Sequence, residues 1–152
     1  MTPKQQLDTF LAKYDPEIAG RARRALVKMR KRLPGAIEIV YDNYNALAIG
    51  FGPNEKASLA IFSIVLFPRW VNLFFLQGAK LPDPGRRLKG AGNVVRSVRL
   101  EDNTLNDPEI QQLMEVALHR AKVGIDAGQR RQLIIKSISA KQRPRRPGRK
   151  TR

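Results

Sequence analysis

The chain has no cysteine and one histidine, His119. The first absence removes disulfides, thiolate metal sites and cysteine nucleophiles together. The second removes any site built from several imidazoles, the two-histidine zinc motif of a helix included. Acidic residues are also scarce, 13 against 29 Lys plus Arg, for a net charge of +16. No apolar run approaches the roughly 18 residues of a membrane-crossing helix, and the longest, Leu59 to Phe67, has the length of a strand. Neither a GxxxxGK[ST] phosphate loop nor a serine–histidine–aspartate pattern with a nucleophile elbow occurs. The polar opening MTPKQQ is unlike the basic-then-apolar order of a secretory leader. The expectation is therefore a cytoplasmic, non-enzymatic protein with no cofactor, no bound metal and no membrane partner.

At 152 residues and 42% hydrophobic content, the chain suits one domain with a sizeable core. Leu7, Phe10, Leu11 and Tyr14 follow helical spacing after Pro3. Asp15-Pro16-Glu17 then combines a capping oxygen, a proline suited to a first helical turn and an acid favoured by the helix dipole. The stripe Ile18, Ala22, Ala25, Leu26, Met29 and Leu33 continues that second helix to Pro34-Gly35.

After Gly35 the apolar period falls from about 3.6 to 2. Ile37, Ile39 and Tyr41, then Leu47, Ile49 and Phe51, predict a hairpin around DNYN. LAIFSIVLF, WVNLFFL and VVRSVRL (94–100) predict three further strands, whose short connectors favour antiparallel pairing. Asp107-Pro108 starts a helix with Ile110, Leu113, Met114, Ala117, Leu118 and Ala121 on one stripe, over 108–123. QLIIKSIS at 132–139 is short enough to be either an edge strand or the start of a tail. The expected fold is an α+β domain: an antiparallel sheet of five or six strands packed against two N-terminal helices and one C-terminal helix.

The positive charge is unevenly spread. Gln129 to Arg152 holds ten basic residues and no acid, which leaves +6 for everything before it. Beyond Ala140, KQRPRRPGRKTR has no hydrophobic side chain to offset the entropy of ordering. The expected division is a body over 1–140 and a disordered basic tail over 141–152, with Lys141, Arg143, Arg145, Arg146, Arg149, Lys150 and Arg152 free to meet a polyanion. On the second helix Arg21, Arg24, Lys28 and Arg32 form a ridge opposite the apolar stripe. A solvated face is the plainer account of that ridge. Combined with the tail, it suggests non-specific contact with nucleic acid or another polyanion, because cations gain affinity by releasing counterions from phosphates.

LPDPGRRLKGAG, residues 81–92, adds Arg86, Arg87 and Lys89 to that surface. Its Gly90-Ala91-Gly92 has the start of a phosphate-loop pattern, but Val95 stands where a third glycine belongs and a strand follows instead of a helix. A connector is the better reading. Phe62, Phe67, Trp70, Phe74 and Phe75 lie in apolar strands, where packing in the core is expected ahead of base stacking.

Between Phe67 and Leu118 a set of motifs carries a family resemblance. Phe75, Gly78, Leu81, Asp83 and Pro84 come first, then Leu88, Gly90 and Gly92, then Arg96, Val98, Arg99 and Leu100. In this order they resemble the YdhG-like domain family of unknown function. The resemblance implies the α+β layout and no generally assigned activity. It also implies a small-ligand pocket between sheet and helices, with Tyr41, Tyr44, Asp83 and Arg96 as candidate lining. Some relatives are described as frataxin-like intracellular iron chaperones, which makes iron carriage the alternative. Hard cations need converging carboxylates, and the only acidic concentration is Glu101, Asp102, Asp107, Glu109 and Glu115.

Overall fold

The computed structural model describes residues 1–148. Three helices, Pro3–Leu11 (α1), Pro16–Arg32 (α2) and Pro108–Arg120 (α3), accompany six strands, Ile37–Asp42 (β1), Leu47–Gly52 (β2), Phe62–Leu66 (β3), Val71–Phe75 (β4), Arg96–Arg99 (β5) and Gln132–Ile138 (β6). Each helix opens on a proline, where the missing N–H costs no intrahelical bond. Thr2 and Gln5 close a capping box on α1, and Asp107 accepts the Glu109 N–H at 2.9 Å on α3. Asp15 departs from its expected capping role. It makes no cap bond, and its carboxylate lies 3.6 Å from Arg146.

The sheet runs β5-β4-β3-β2-β1-β6. From β1 to β5 every pairing is antiparallel, as the short connectors require. The sixth strand corrects the all-antiparallel expectation, for β6 lies parallel to β1. The chain between them includes α3 and is ample for the crossover that parallel neighbours need. A bulge in β6 puts Lys136 outside the register, between Ile135 and Ser137.

Strand alternation divides the sheet into two unlike faces. Val40, Ile49, Phe51, Phe62, Ile64, Leu73 and Phe75 point towards the helices and form one buried cluster with Phe10, Leu26, Met29 and Ile110. Complete burial of such a side chain is worth about 1.5–3 kcal/mol, so this layer carries the stability of the fold. Tyr14 pins it from the helix side. Its hydroxyl donates to the Leu66 carbonyl at 3.0 Å and accepts the Leu47 N–H at 3.1 Å. The opposite face carries no α-helix among the described residues, but it is not bare: Ile37, Ile39, Ser63 and Val65 on it are buried, and Ala60, after the short 57–59 turn, closes over Gly50 and Gly52.

The C-terminal segment corrects the expected division of the chain. Residues 141–148 do not hang free: they lie along the β1–β2 turn and the α1–α2 junction. The Arg143 N–H donates to the Tyr44 carbonyl at 2.8 Å, and Gln142 Nε2 donates to the Asp42 carbonyl at 3.1 Å. Arg145 is buried against Asp42. Charge complementarity supplies what the missing hydrophobic residues do not. The rest of the expected tail, with Arg149, Lys150 and Arg152, lies outside the described residues.

Candidate nucleic-acid interface

The cations singled out in the sequence fall into three groups. On α2 the ridge is met by carboxylates. Arg21 lies 3.4 Å from Glu17 and 3.6 Å from Glu101, Arg24 is 3.0 Å from Asp102, and Arg32 is 2.9 Å from Glu115. Lys28 donates to the Asp102 carbonyl at 3.0 Å. Glu101, Asp102 and Glu115 of the acidic concentration are thus the counter-charge of this ridge, while Asp107 and Glu109 face Arg87 of the connector. Among the described residues no group of three or more His, Asp or Glu is arranged to hold a metal ion. His119 is exposed on the last turn of α3.

In the C-terminal segment, Arg145 is sealed against Asp42 and cannot face a partner. Arg146 donates to the Lys13 carbonyl at 3.2 Å as well as approaching Asp15. The Arg143 guanidinium lies 5.5 Å from the Tyr44 ring centre, and both residues are exposed. Lys141 is exposed.

The connector at 81–92 is a turn closed on itself. Asp83 accepts the N–H groups of Arg87 at 2.9 Å and Leu88 at 2.8 Å. Two amides of the connector, just before its Gly90-Ala91-Gly92, are therefore already holding a carboxylate. Arg86 adopts φ 51°, unusual for a side chain with a Cβ. Arg87 lies 2.7 Å from Asp107. That carboxyl is held below its usual range, first by the Arg87 hydrogen bond and then by the Glu109 N–H. Arg96 turns its guanidinium onto the carbonyls of Gly92 at 2.6 Å and Val95 at 2.8 Å. Tyr41, Tyr44, Asp83 and Arg96 therefore do not line one common pocket. They are spread over the β1 strand, its turn, the connector and β5.

Lys89 is different. Its backbone exchanges hydrogen bonds with Ser97 at 2.7 and 2.9 Å, an antiparallel bridge that extends the sheet beyond β5. Paired residues share a face. Ser97 pairs with Phe74, Phe74 with Ser63, Ser63 with Gly50 and Gly50 with Ile39, so Lys89 heads a row across the helix-free face. The next row is Arg99, Asn72, Val65, Ala48 and Tyr41. Neither row contains an acid. The two strand carboxylates, Glu38 and Asp42, alternate to the helix side, where Arg30 and Arg145 meet them.

Aromatic side chains stand beside these cations. Trp70 precedes Asn72 by two residues, and the Arg99 guanidinium stacks over its ring at 4.6 Å from the centre. Phe74 and Tyr41 are half-buried, whereas Phe62 and Phe75 meet edge to face at 5.4 Å inside the core. The strand aromatics are thus divided between the two faces, and the expectation of core packing holds for Phe62 and Phe75. The Tyr41 hydroxyl and Asn72 Oδ1, in the Arg99 row, have no hydrogen-bond partner among the described residues. Arg69, Lys89 and Arg99 are exposed, and none forms an ion pair with a carboxylate among the described residues.

Sequence reasoning placed Lys89 on a cationic surface but overlooked Arg69 and Arg99. For Arg99 the signal was available in the alternation of β4 and β5, which sets Trp70 and Phe74 on one face and Arg99 beside them. No helix among the described residues is long and apolar enough to cross a membrane. No family model matches the chain, and neither a curated protein nor a solved structure matches it.

Proposed function

We propose that this protein is a non-enzymatic binding module of the YdhG-like kind that holds single-stranded nucleic acid on the helix-free face of its sheet. The carrying observation is the juxtaposition of Trp70 and Phe74 with Arg99 and Lys89 on a face without acids. Single strands are held by this combination: cations follow the phosphates while aromatic rings stack against bases of any identity. A duplex hides its base faces and gains nothing from the rings. The α2 ridge, first a candidate for the same role, is weaker support because its positive charge is met by Glu17, Glu101, Asp102 and Glu115.

Fluorescence anisotropy with labelled 20-nucleotide oligo-U, oligo-dT and a matched duplex tests this between 50 and 200 mM salt. Two phosphate contacts, by Lys89 and Arg99, predict roughly 7-fold weakening for single strands over that range. Phe74→Leu keeps an apolar side chain but removes the ring, and the expected cost is about 1–3 kcal/mol of binding. Arg99→Gln and Lys89→Gln should each flatten the salt dependence by about 0.7 in log–log slope. Unchanged binding in all three variants, or tighter binding of the duplex, refutes the assignment. Loss of binding in an Arg24→Gln, Lys28→Gln variant alone transfers it to α2.

A further inference from the structure

A cleft of about 480 Å³ opens at the end of the sheet, where the turn before β3, the turn after β4 and the end of α3 converge. Leu59, Ile61, Leu81, Val94 and Ala117 supply an apolar lining. Three cations also line it, Lys80, Arg120 and Lys122, and no carboxylate does. None of the three forms an ion pair among the described residues. Arg120 is held across the opening, for its Nη1 donates to the Lys80 carbonyl at 2.9 Å. The cleft is therefore bounded by a fixed guanidinium.

Small-molecule sites are concave and mostly apolar, with a few polar groups that orient the ligand, and they span about 300–1,000 Å³. Volume and lining both suit that description. The end of α3 contributes about half a negative charge from its free carbonyls, which works against an anion. Three full positive charges exceed it. A neutral lipid would leave the cations unused, and a cation would be repelled.

We propose that this cleft binds a small amphipathic anion, its apolar chain or ring against Leu59, Ile61 and Val94 and its anionic head among Lys80, Arg120 and Lys122. This site is separate from the sheet face argued above and stands whether or not that face holds nucleic acid.

Calorimetry and amide-resolved NMR with decanoate, decanol and decyltrimethylammonium, each below its micelle concentration, provide the test. Decanoate should bind and shift the amides of Val94, Ala117 and Lys122. Decanol should bind about 5-fold or more weakly, the upper scale of one removed exposed charge contact, and the ammonium should not bind. Lys80→Gln with Lys122→Gln, which leaves the Arg120 clasp in place, should weaken decanoate about 10-fold and leave decanol unchanged. Ala117→Phe should fill the cleft and abolish both. Equal affinity for decanoate and decanol, full decanoate affinity in the double variant, or shifts confined to Trp70, Phe74 and Arg99 would each overturn the proposal. Oligo-U binding should be unaffected by decanoate.

Discussion

Arg145 Nη2 donates to Asp42 Oδ1 at 2.9 Å across 103 positions of sequence, and the two side chains are 3% and 1% exposed. Lys13 Nζ takes the other carboxylate oxygen at 3.1 Å, and Asn43 accepts a further bond from Arg145. One buried carboxylate thus ties the C-terminal segment to the β1–β2 turn and to the end of α1. A cationic segment that was expected to reach outwards serves as an internal strap.

Removing the charge from one side of this pair strands the other. Asp42→Asn leaves the Arg145 guanidinium buried without its counter-ion, a change that costs about 3–5 kcal/mol. Urea unfolding at neutral pH measures it. A loss under about 1 kcal/mol would place Arg145 in water and contradict the strap.

The same carboxylate makes stability depend on acid. Burial raises the Asp42 pKa, but bonds from Gln142, Lys13 and Arg145 outweigh burial and hold it below the ordinary 3.8. Its contribution is complete above 3.8 and disappears as pH falls through the lower folded value. Stability of the unmodified chain minus that of Asp42→Asn should therefore be flat from pH 7 to 5 and shrink below about 4. A difference that persists unchanged at pH 2 would be inconsistent with this linkage.

Tyr14 gives the alkaline counterpart. Burial, opposed by the charge of Arg145 and the Leu47 N–H, pushes its phenol up to about 12 from 10.0. The folded state is favoured fully below 10.0 and loses that advantage as pH rises towards about 12. Tyr14→Phe removes the bonds to the Leu47 N–H and the Leu66 carbonyl, which costs about 1–3 kcal/mol, and it should remove part of the alkaline loss. Stability curves of both proteins from pH 8 to 11 decide the matter.

Glu38 is 2% exposed at its side chain and accepts two bonds from Arg30, at 2.9 and 2.8 Å. Arg30→Met should cost about 2–3 kcal/mol, less than a fully buried pair because water reaches the arginine. Adding Glu38→Leu should restore stability to within about 1 kcal/mol of the original, since an apolar pair needs no counter-charge. A double variant no better than the single would mean that the pair holds α2 in place by more than charge balance.

Gly35, at φ 81°, faces the Asp126 backbone so closely that an added Cβ would meet its carbonyl oxygen. Gly35→Ala combines a left-handed penalty of about 1–2 kcal/mol with overpacking of about 1–3 kcal/mol. Thermal unfolding should show a lower midpoint than in Gly128→Ala, a site whose φ is not in that region and whose nearest neighbour is a side-chain oxygen at 3.4 Å.

Local chemistry made the helices and the five-stranded meander readable. Proline starts, capping oxygens and the change of apolar period each act over a few residues, and Leu7, Ile18, Ile49, Phe62 and Ile110 are buried as their spacing requires. Two local readings failed for a common reason. Asp15 has the residue type of a cap, and KQRPRRPG has the composition of a disordered tail, yet each is engaged by a charge distant in sequence.

Residue order alone thus decided the three helices, the first five strands and which side chains would be apolar, and left 132–139 between strand and tail. It left open which carboxylates neutralise which cations, which way β6 runs, and which sheet face lacks a helix. Those depend on contacts between residues such as Asp42 and Arg145, Arg24 and Asp102, and Ser97 and Lys89. Charge pairing has no sequence period, so only the folded arrangement selects among 29 cations and 13 acids and leaves Arg99 and Lys89 beside Trp70 and Phe74.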